Sequence, residues 1–383
     1  MGVSPARALL FAGARLNAES RALDELAQRD VDWADVLKGA NWHGITPLLA
    51  RNLKSVTSVP DSVRQKLIRF ERVNAFRSLH MATRIRLCLK ALHDHGLDAI
   101  PWKGPALAFE AYGDLTRRTS CDIDFLVKPG ELAAARNILL QAGFTFEPDN
   151  AALTSQRLLR MEKISGEVRL LGPDRSFLVE LHAQFLHPTM ADSRVLHDMW
   201  DRSYCGTAWD GQPIRKLCVP DLLLTLCVHA TKHGWDRLKW VIDIAAVLQQ
   251  QSTPIDWSDL MNTADAYGVS GMLLLGLALA HRNAGASLPG EVLARIDAHA
   301  TLRKIVEEQD QVYVTDTLPT LQLTHALKMR TAMEPLWRRA AVALREAVGV
   351  TSVDVAEFPA SDRWLWLVPL YRPWRLVQRV SRP

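Results

Sequence analysis

Two aspartates separated by one residue lie near the middle of the chain, in Asp122-Ile123-Asp124-Phe125-Leu126-Val127. The apolar residues around them favour a β-strand, in which alternate side chains point to the same side. Asp122 and Asp124 then share one face, where two carboxylates about 5 Å apart repel each other by about 3 kcal/mol at an effective dielectric near 20. The pair therefore predicts a cation site, with a solvated strand end as the alternative. Mg²⁺ suits it because Mg²⁺ prefers oxygen ligands and keeps positions open for phosphates, and Mn²⁺ is the second choice.

A third carboxylate interrupts an apolar run further along the chain, at Glu180 in Phe177-Leu178-Val179-Glu180-Leu181-His182. If this run forms a strand beside the first one, Glu180 can face the same metal. Two ions about 3.5–4 Å apart can then serve the attacking and the leaving group of a phosphoryl transfer. The sequence predicts a catalytic metal site of Asp122, Asp124 and Glu180, and the alternative is an exposed glutamate on an edge strand. No general base stands out, although His182 falls on the same face as Glu180.

Residues that suit phosphate groups precede the aspartates. In Trp102-Lys103-Gly104-Pro105 a short strand leads into a helix, and a glycine at such a turn lets backbone N–H groups approach a phosphate. Lys103 adds positive charge, while Arg118 and Ser120 can donate hydrogen bonds to phosphate oxygens. We expect Lys103, Gly104, Arg118 and Ser120 to bind the triphosphate of a nucleotide. The alternatives are an ordinary strand–helix turn and a solvated basic loop.

Further polar side chains recur at intervals of three and four in the second half of the chain: His229, Lys232, His233, Asp236, Trp240 and Asp243. Two helices are expected here, one from Pro220 through His233 and the next from Trp235 to Gln250. If they form one continuous helix across Gly234, this spacing places the six side chains on one face. Such a face can bind a nucleobase or the acceptor, and we predict His229, Lys232 and His233 as nucleotide ligands. The alternative is a polar seam between helices, with Asp243 paired to a nearby lysine. Zinc is disfavoured because no Glu or Cys stands at the right offset from the His pair.

Hydrophobic spacing predicts the elements that position these groups. Residues 5–95 have a helical pattern, with one long helix from about Asp61 to His93. Residues 97–185 contain short strands and helices, and the chain is helical again from about residue 188. These patterns predict an α+β fold with a small mixed β-sheet core, flanked by a large helical N-terminal region and a helical C-terminal domain.

The predicted division of the chain has four parts. They are a helical N-terminal region (1–96), the α+β core (97–187), a helical domain (188–350) and a tail rich in Trp and Arg (351–383). The tail is expected to pack back on its own domain. Docking to a partner, to RNA or to a membrane surface is the alternative.

The composition is that of a chain with a sizeable core. Of 383 residues, 48% are hydrophobic and 23% are charged, which is close to the average for globular proteins. A net charge of +4 creates no strong global field toward nucleic acid or membranes. The five cysteines form no CxxC pair, which indicates reduced thiols in a cytoplasmic protein. No apolar run approaches the roughly 18 residues of a transmembrane helix.

Several motifs resemble those of the uncharacterised nucleotidyltransferase family of bacteria, part of the DNA polymerase β-like nucleotidyltransferase superfamily. That family reads KG-x-A-L, then YG-D, then R-x-x-S/x-D-I-D-L-L-V. The matching residues of this chain are Lys103 to Leu107, Tyr112 to Asp114, Arg118 to Val127, Val179 to His182, His229 to His233 and Trp240 to Asp243. The likeness covers most of residues 35–285. The chain also resembles abortive-infection nucleotidyltransferase toxins, in which a Gly-led helix is followed by R-x-S-x-D-x-D.

The resemblance implies that Asp122, Asp124 and Glu180 ligate the metal and that Gly104 lies at the phosphate. The chain departs from the pattern at Glu180, where Asp is usual, and at Pro105, where the superfamily has Ser after the glycine. The implied activity is transfer of a nucleoside monophosphate from an NTP such as ATP to an unidentified acceptor, with release of pyrophosphate. That acceptor is a small molecule, a peptide, a protein or RNA. The alternatives are a catalytically inactive nucleotide- or partner-binding module of the same fold and a toxin-like enzyme that modifies tRNA.

Overall fold

The computed structural model describes residues 4–147, 153–184, 195–251, 253–315, 328–329, 331, 334, 339–340, 342–344 and 348–380. The helices of the first half are α1 (Pro5–Ala14), α2 (Ser20–Ala27), α3 (Trp33–His43), α4 (Thr46–Leu53), α5 (Asp61–His93), α6 (Gly104–Tyr112), α7 (Leu132–Gln141) and α8 (Ser155–Ser165). Those of the second half are α9 (Val195–Arg202), α10 (Val219–Lys232), α11 (Leu238–Gln250), α12 (Trp257–Ala266), α13 (Ser270–Ala284), α14 (Gly290–Asp297), α15 (Ala300–Thr315), α16 (Ser352–Ala356) and α17 (Val368–Val380). Within the described ranges, no helix combines the length and apolar character needed to cross a bilayer.

One mixed sheet contains five short strands, in the order β1-β2-β5-β4-β3. They are β1 (Ala99–Pro101), β2 (Asp122–Val127), β3 (Thr145–Phe146), β4 (Glu167–Leu171) and β5 (Leu178–His182). β2 and β5 pair in parallel, whereas the other neighbours are antiparallel. The predicted α+β class, with a small mixed sheet among many helices, is confirmed.

The sheet has one apolar and one polar face, as the alternation along β2 and β5 requires. The apolar face packs against α7 and the end of α5, and its buried residues include Ile123, Phe125, Val127, Val179 and Leu181. The opposite face carries Asp122 and Asp124 on β2 and Glu180 and His182 on β5. Because the parallel register sets Asp124 opposite Glu180, the polar groups of two distant segments meet there.

A larger apolar core joins helices from both ends of the chain. Leu9 of α1 and Leu49 of α4 belong to the same buried cluster as Leu274 of α13. The Arg237 guanidinium lies 4.0 Å from the centroid of the Trp42 ring, which ties the end of α3 to the segment before α11. Helices from before and after the sheet therefore cover one core, and the four-part division of the chain stays a prediction.

The structure confirms some predicted elements and corrects others. The long helix α5 begins and ends as predicted, and Gly96 follows it with a φ of 77°. The expectation of a purely helical second half is wrong, because β6 (Tyr204–Thr207) and β7 (Pro213–Lys216) form a hairpin. Gly211 lies in its connection with a φ of 77°.

The chain turns at Gly234, between the two helices expected on either side of it. Gly234 and Trp235 have φ angles of 66° and 55°, in the left-handed region, so α10 and α11 are separate helices. Trp235 is fully buried, and its indole N–H donates a hydrogen bond of 3.0 Å to the hydroxyl of Thr231. Gln309 donates a second bond, of 2.8 Å, to the Trp235 carbonyl oxygen. The burial of Trp235 fixes this turn. The expected division into two helices is confirmed, and the single polar face that a continuous helix would present does not form.

The C-terminal tail packs back on the chain along one of its sides. α16 contacts α8, and Leu365 and Val368 are buried beside them. By contrast, Trp364, Trp366 and Trp374 have exposed fractions of 41%, 61% and 54%. One side of the Trp/Arg-rich segment thus has the structural role predicted for it, and the other side faces solvent.

Candidate functional site

Three side chains on the polar face of the sheet lie close enough to ligate one ion. Asp124 of β2 is paired in register with Glu180 of β5, and His182 follows two residues later on the same face. One donor atom of each residue lies within 4.8 Å of the donor atoms of the other two. Two carboxylates and an imidazole are ligands that divalent ions accept. The residues therefore fit the kind of ion that phosphoryl transfer employs.

Asp122 begins β2 and lies at the edge of this group. Its side chain points to the same face as that of Asp124. It is not, however, among the three residues whose donor atoms lie within 4.8 Å of one another. Its pKa is raised, because partial burial and the negative charges of Asp124 and Glu180 disfavour the ionised form. The three predicted carboxylates thus influence one another electrostatically, and a bound cation would relieve the repulsion at Asp122.

Asp124 is almost fully buried and has two cationic partners. The Lys103 ammonium forms an ion pair with its Oδ1, and Nε2 of His182 lies 3.2 Å from the same oxygen. Burial alone would raise the pKa of Asp124, but these partners hold it well below its ordinary value. Asp124 is therefore a carboxylate at neutral pH, which is the form that binds metal.

His182 lies between three carboxylates. Its Nε2 is 3.5 Å from Oε2 of Glu180, and its Nδ1 is 3.7 Å from Oε2 of Glu167. Burial disfavours the imidazolium, but hydrogen bonds to Asp124 and Glu180 raise the pKa of His182 to about 9. A protonated imidazole cannot accept a proton, so this arrangement disfavours His182 as a general base. Two sequence signals indicated its place in the site: its alternation with Glu180 along β5 and the resemblance of Val179 to His182 to the family motif.

Glu180 is fixed by a neighbouring strand as well as by His182. Nε of Arg169 on β4 donates a hydrogen bond of 2.9 Å to Oε1 of Glu180. Arg169 in turn pairs with Glu147 at 2.9 Å. Burial opposes ionisation, but the hydrogen bond with His182 lowers the pKa of Glu180 below its ordinary value. No sequence signal indicated the role of Arg169, because β4 and its register depend on tertiary pairing.

Gly104 opens α6 against the start of β2. Its φ is 58°, and a Cβ placed there would lie 3.2 Å from the carbonyl oxygen of Asp122. The N-terminus of α6 therefore lies beside the aspartate strand, where its N–H groups and dipole favour an anion. Lys103 was predicted to contact phosphate; its ammonium here contacts Asp124 and lies 4.4 Å from the centroid of the Trp102 ring.

Arg118 is buried and held by Asp243. Its Nε lies 3.0 and 3.1 Å from the two carboxylate oxygens, and the Tyr112 hydroxyl donates a bond of 2.7 Å to the same group. Nη1 of Arg118 lies 3.5 Å from Oγ of Ser120. The expectation that Asp243 pairs with a nearby lysine is wrong, because α11 directs Asp243 to the segment before β2. Asp243 thereby determines where the predicted phosphate ligand Arg118 lies.

Four aromatic rings form a group beside the polar face of the sheet. They belong to Trp102 after β1, His229 of α10, His233 just after α10 and Trp240 of α11. The centroid of His229 lies 4.6 Å from that of His233 and 6.0 Å from that of Trp102, and His233 lies 5.2 Å from Trp240. The ring centroid of Trp102 also lies 6.2 Å from that of His182. His229, His233 and Trp240 therefore come together although their helix is interrupted.

The two histidines of this aromatic group are electrically neutral at pH 7. Burial, together with the positive charge of Lys103, holds the pKa of His229 well below its ordinary value. The pKa of His233 is lowered to about 4 by desolvation and by the charge of Lys232. Lys232 itself is exposed at the end of α10. Asp236 was expected on one helix face with these histidines. Its Oδ2 instead lies 3.7 Å from Nε of Arg237.

The fold thus brings a possible metal-binding group, formed by Asp124, Glu180 and His182, together with the N-terminus of α6. The sequence matches the uncharacterised nucleotidyltransferase family over residues 29–285, which is more than half of the chain. The protein therefore belongs to the uncharacterised nucleotidyltransferase family and is a transferase. Comparisons with curated proteins and with solved structures gave no match. The likeness to abortive-infection toxins stays a prediction.

Proposed function

We propose that this protein transfers a nucleoside monophosphate from an NTP to an acceptor and releases pyrophosphate, using Mg²⁺ held by Asp122, Asp124 and Glu180. One observation supports this most strongly. The parallel register of β2 and β5 brings Asp124 beside Glu180, next to the helix N-terminus that begins at Gly104. Family membership supports the reaction class independently of that geometry.

The proposed reaction exchanges one bond at the α-phosphorus of the nucleotide. An oxygen or nitrogen of the acceptor forms a bond to this phosphorus, and the bond to the bridging oxygen of the β-phosphate breaks. Pyrophosphate leaves with the electron pair, and the proton of the acceptor passes to water. Positioning and charge neutralisation account for most of the catalysis of such transfers. A bound divalent ion supplies Lewis-acid polarisation of the phosphoryl oxygens.

The remaining predicted residues orient the nucleotide. The first turn of α6 at Gly104 receives a phosphate, and Lys103 and Arg118 neutralise its charge, with Ser120 as a hydrogen-bond donor. Because Arg118 is fixed by a buried carboxylate, it reaches the substrate with little loss of side-chain entropy. The aromatic group that contains His229 and His233 offers ring faces to the nucleobase, and Lys232 lies at its rim.

Transfer of label tests the proposal. The full-length protein is incubated with each of four α-³²P-labelled NTPs, Mg²⁺ and a cell extract, and the products are separated by size after protease or nuclease treatment. We expect labelled acceptor with the wild type and at least a hundredfold less with Asp124→Asn, because this carboxylate is at the centre of the site. Asp94→Asn is the matched control, since Asp94 is exposed at the end of α5.

The result also separates the alternatives. Equal labelling by the wild type and Asp124→Asn, or no labelling with any nucleotide, would contradict nucleotidyl transfer. Metal-dependent nucleotide binding without transfer would point to the inactive binding module. Label that appears only in tRNA would assign the acceptor and support the toxin-like alternative.

A further inference from the structure

We propose that His182 is a metal ligand, and that the site formed by Asp124, Glu180 and His182 binds Mn²⁺ in preference to Mg²⁺. The inference rests on the proposed function for the presence of an ion in this site. It adds a nitrogen ligand to the carboxylates and, with it, a metal preference.

The spacing of the donor atoms carries the proposal. Ligands bound side by side to one octahedral ion at about 2.1 Å lie about 3 Å from each other. Nε2 of His182 lies 3.2 Å from Oδ1 of Asp124 and 3.5 Å from Oε2 of Glu180. These two spacings are close to that value, and all three donor atoms lie within 4.8 Å of one another. An ion that binds between them displaces the Lys103 ammonium from the same oxygen of Asp124.

The second nitrogen of His182 faces a carboxylate at a distance slightly longer than a hydrogen bond. In metal sites with a histidine ligand, the nitrogen that does not bind the metal faces a carboxylate or carbonyl oxygen, which orients the ring. Nδ1 of His182 lies 3.7 Å from Oε2 of Glu167, on the adjacent strand β4. The edge of the ring also meets Trp102, so the imidazole is fixed from two further directions. Glu167 is thus a positioning residue for His182.

The ligand set determines which ion is favoured. Mg²⁺ binds oxygen ligands almost exclusively, whereas imidazole suits first-row transition ions and carboxylate suits Mn²⁺. Two carboxylates and one imidazole therefore favour Mn²⁺, while leaving coordination positions for water and phosphate oxygens. Replacing the nitrogen by an oxygen donor removes that advantage and affects Mg²⁺ much less.

Metal binding is measured directly, without turnover. The full-length protein is stripped with a chelator and titrated with Mn²⁺ while the electron paramagnetic resonance signal of free Mn²⁺ is followed, and Mg²⁺ affinity is obtained by competition. We expect the wild type to bind Mn²⁺ at least tenfold more tightly than Mg²⁺. His182→Asn should weaken Mn²⁺ binding by about tenfold or more and Mg²⁺ binding by less than threefold. His95→Asn, an exposed histidine beyond α5, should change neither affinity.

Two further variants make the outcome decisive. Glu167→Gln should weaken Mn²⁺ binding about tenfold or more at an unchanged melting temperature, as the loss of an orienting partner does. His182→Gln is measured beside His182→Asn, and circular dichroism of the metal-free proteins identifies any variant that fails to fold. A folded His182 variant that binds Mn²⁺ as tightly as the wild type would overturn the proposal. So would a wild type that prefers neither ion, or that binds none with or without a non-hydrolysable NTP analogue.

Failure of this inference differs from failure of the proposed function. If the protein transfers no nucleotide but loses Mn²⁺ affinity on His182→Asn, the ligand assignment stands and the reaction is wrong. If His182→Asn transfers nucleotide in Mg²⁺ and binds Mn²⁺ like the wild type, the reaction stands and the ligand assignment is overturned.

Discussion

At the scale of single residues, Asp243 holds Arg118 in place, although the two residues are far apart in the sequence. It is buried in α11 and receives bonds from Arg118 and from the Tyr112 hydroxyl. A buried guanidinium that loses its main counter-charge is costly, because burial has removed it from bulk water. Arg118 therefore depends on Asp243 both for its position and for its tolerance of burial.

We accordingly expect Asp243→Asn to lower the free energy of unfolding by about 3–5 kcal/mol. Urea unfolding of the metal-free protein measures the change. The matched control is Glu25→Gln, which breaks the pair of Arg21 and Glu25, whose side chains are 92% and 62% exposed. That change should cost less than about 1 kcal/mol. Equal effects of the two substitutions would show that Asp243 is dispensable for stability.

Gly104 is the residue whose backbone conformation the site requires. Gly104→Ala places a Cβ 3.2 Å from the carbonyl oxygen of Asp122 at a φ of 58°. We expect a loss of about 1–2 kcal/mol in the free energy of unfolding, because an L side chain is strained in this region. Gly290→Ala serves as the control, since Gly290 also begins a helix and a Cβ there meets nothing within 4 Å. The prediction fails if both variants unfold at the same urea concentration.

At the scale of the secondary-structure elements, the local sequence pattern predicted some features of the fold, whereas others depend on pairing between distant segments. The alternation in β2 and β5 predicted which side chains of each strand share a face, since that follows from strand geometry alone. The register that sets Asp124 opposite Glu180 depends on contacts between distant segments. Arg169 and Asp243 were missed as partners in the site for the same reason. The boundary between the two helices at Gly234 was predicted from the local pattern, whereas the geometry of the turn follows from the burial of Trp235.

The C-terminal element depends on one buried carboxylate. Asp354 in α16 accepts hydrogen bonds from Arg372 and Arg375 of α17, and its side chain is fully buried. Burial opposes ionisation, but hydrogen bonds from Thr351 and Arg372 hold the pKa of Asp354 below its ordinary value. An acid whose pKa is lower in the folded state stabilises above its unfolded pKa, near 3.9, and loses this effect as the pH falls through the folded value.

Docking of α17 should therefore weaken below about pH 4. At pH 7, Asp354→Asn should have the same effect, because Arg372 and Arg375 lose the charge that they share. Limited proteolysis is the measurement, and we expect cleavage within residues 350–380 to accelerate at least tenfold in Asp354→Asn. Asp94→Asn provides an exposed control. Unchanged cleavage in Asp354→Asn would mean that the apolar contacts of Leu365 and Val368 suffice.

Across the whole molecule, helices from both ends of the chain position the site together. The Nδ1 of His43, at the end of α3, lies 3.4 Å from the backbone N of Leu238, and the His43 ring meets Tyr313 of α15 at 5.8 Å. A Cβ at Gly44 would lie 2.7 Å from Lys239, whose charge acts on Asp122 and Arg118. The N-terminal helices therefore support the same segment that carries the polar groups of α11.

This shared core predicts that damage in the N-terminal helices spreads to the C-terminal ones. Leu49 of α4 is fully buried, and Leu49→Ala should cost about 2–5 kcal/mol through lost burial and a cavity. Because α13 packs in the same cluster, its amides should exchange with deuterium faster in Leu49→Ala, by a factor that matches the loss in global stability. Leu87→Ala, at a 51% exposed position of α5, should leave α13 unchanged. If α13 keeps its wild-type protection in a destabilised Leu49→Ala protein, the N-terminal helices unfold as a unit of their own and the core is not shared.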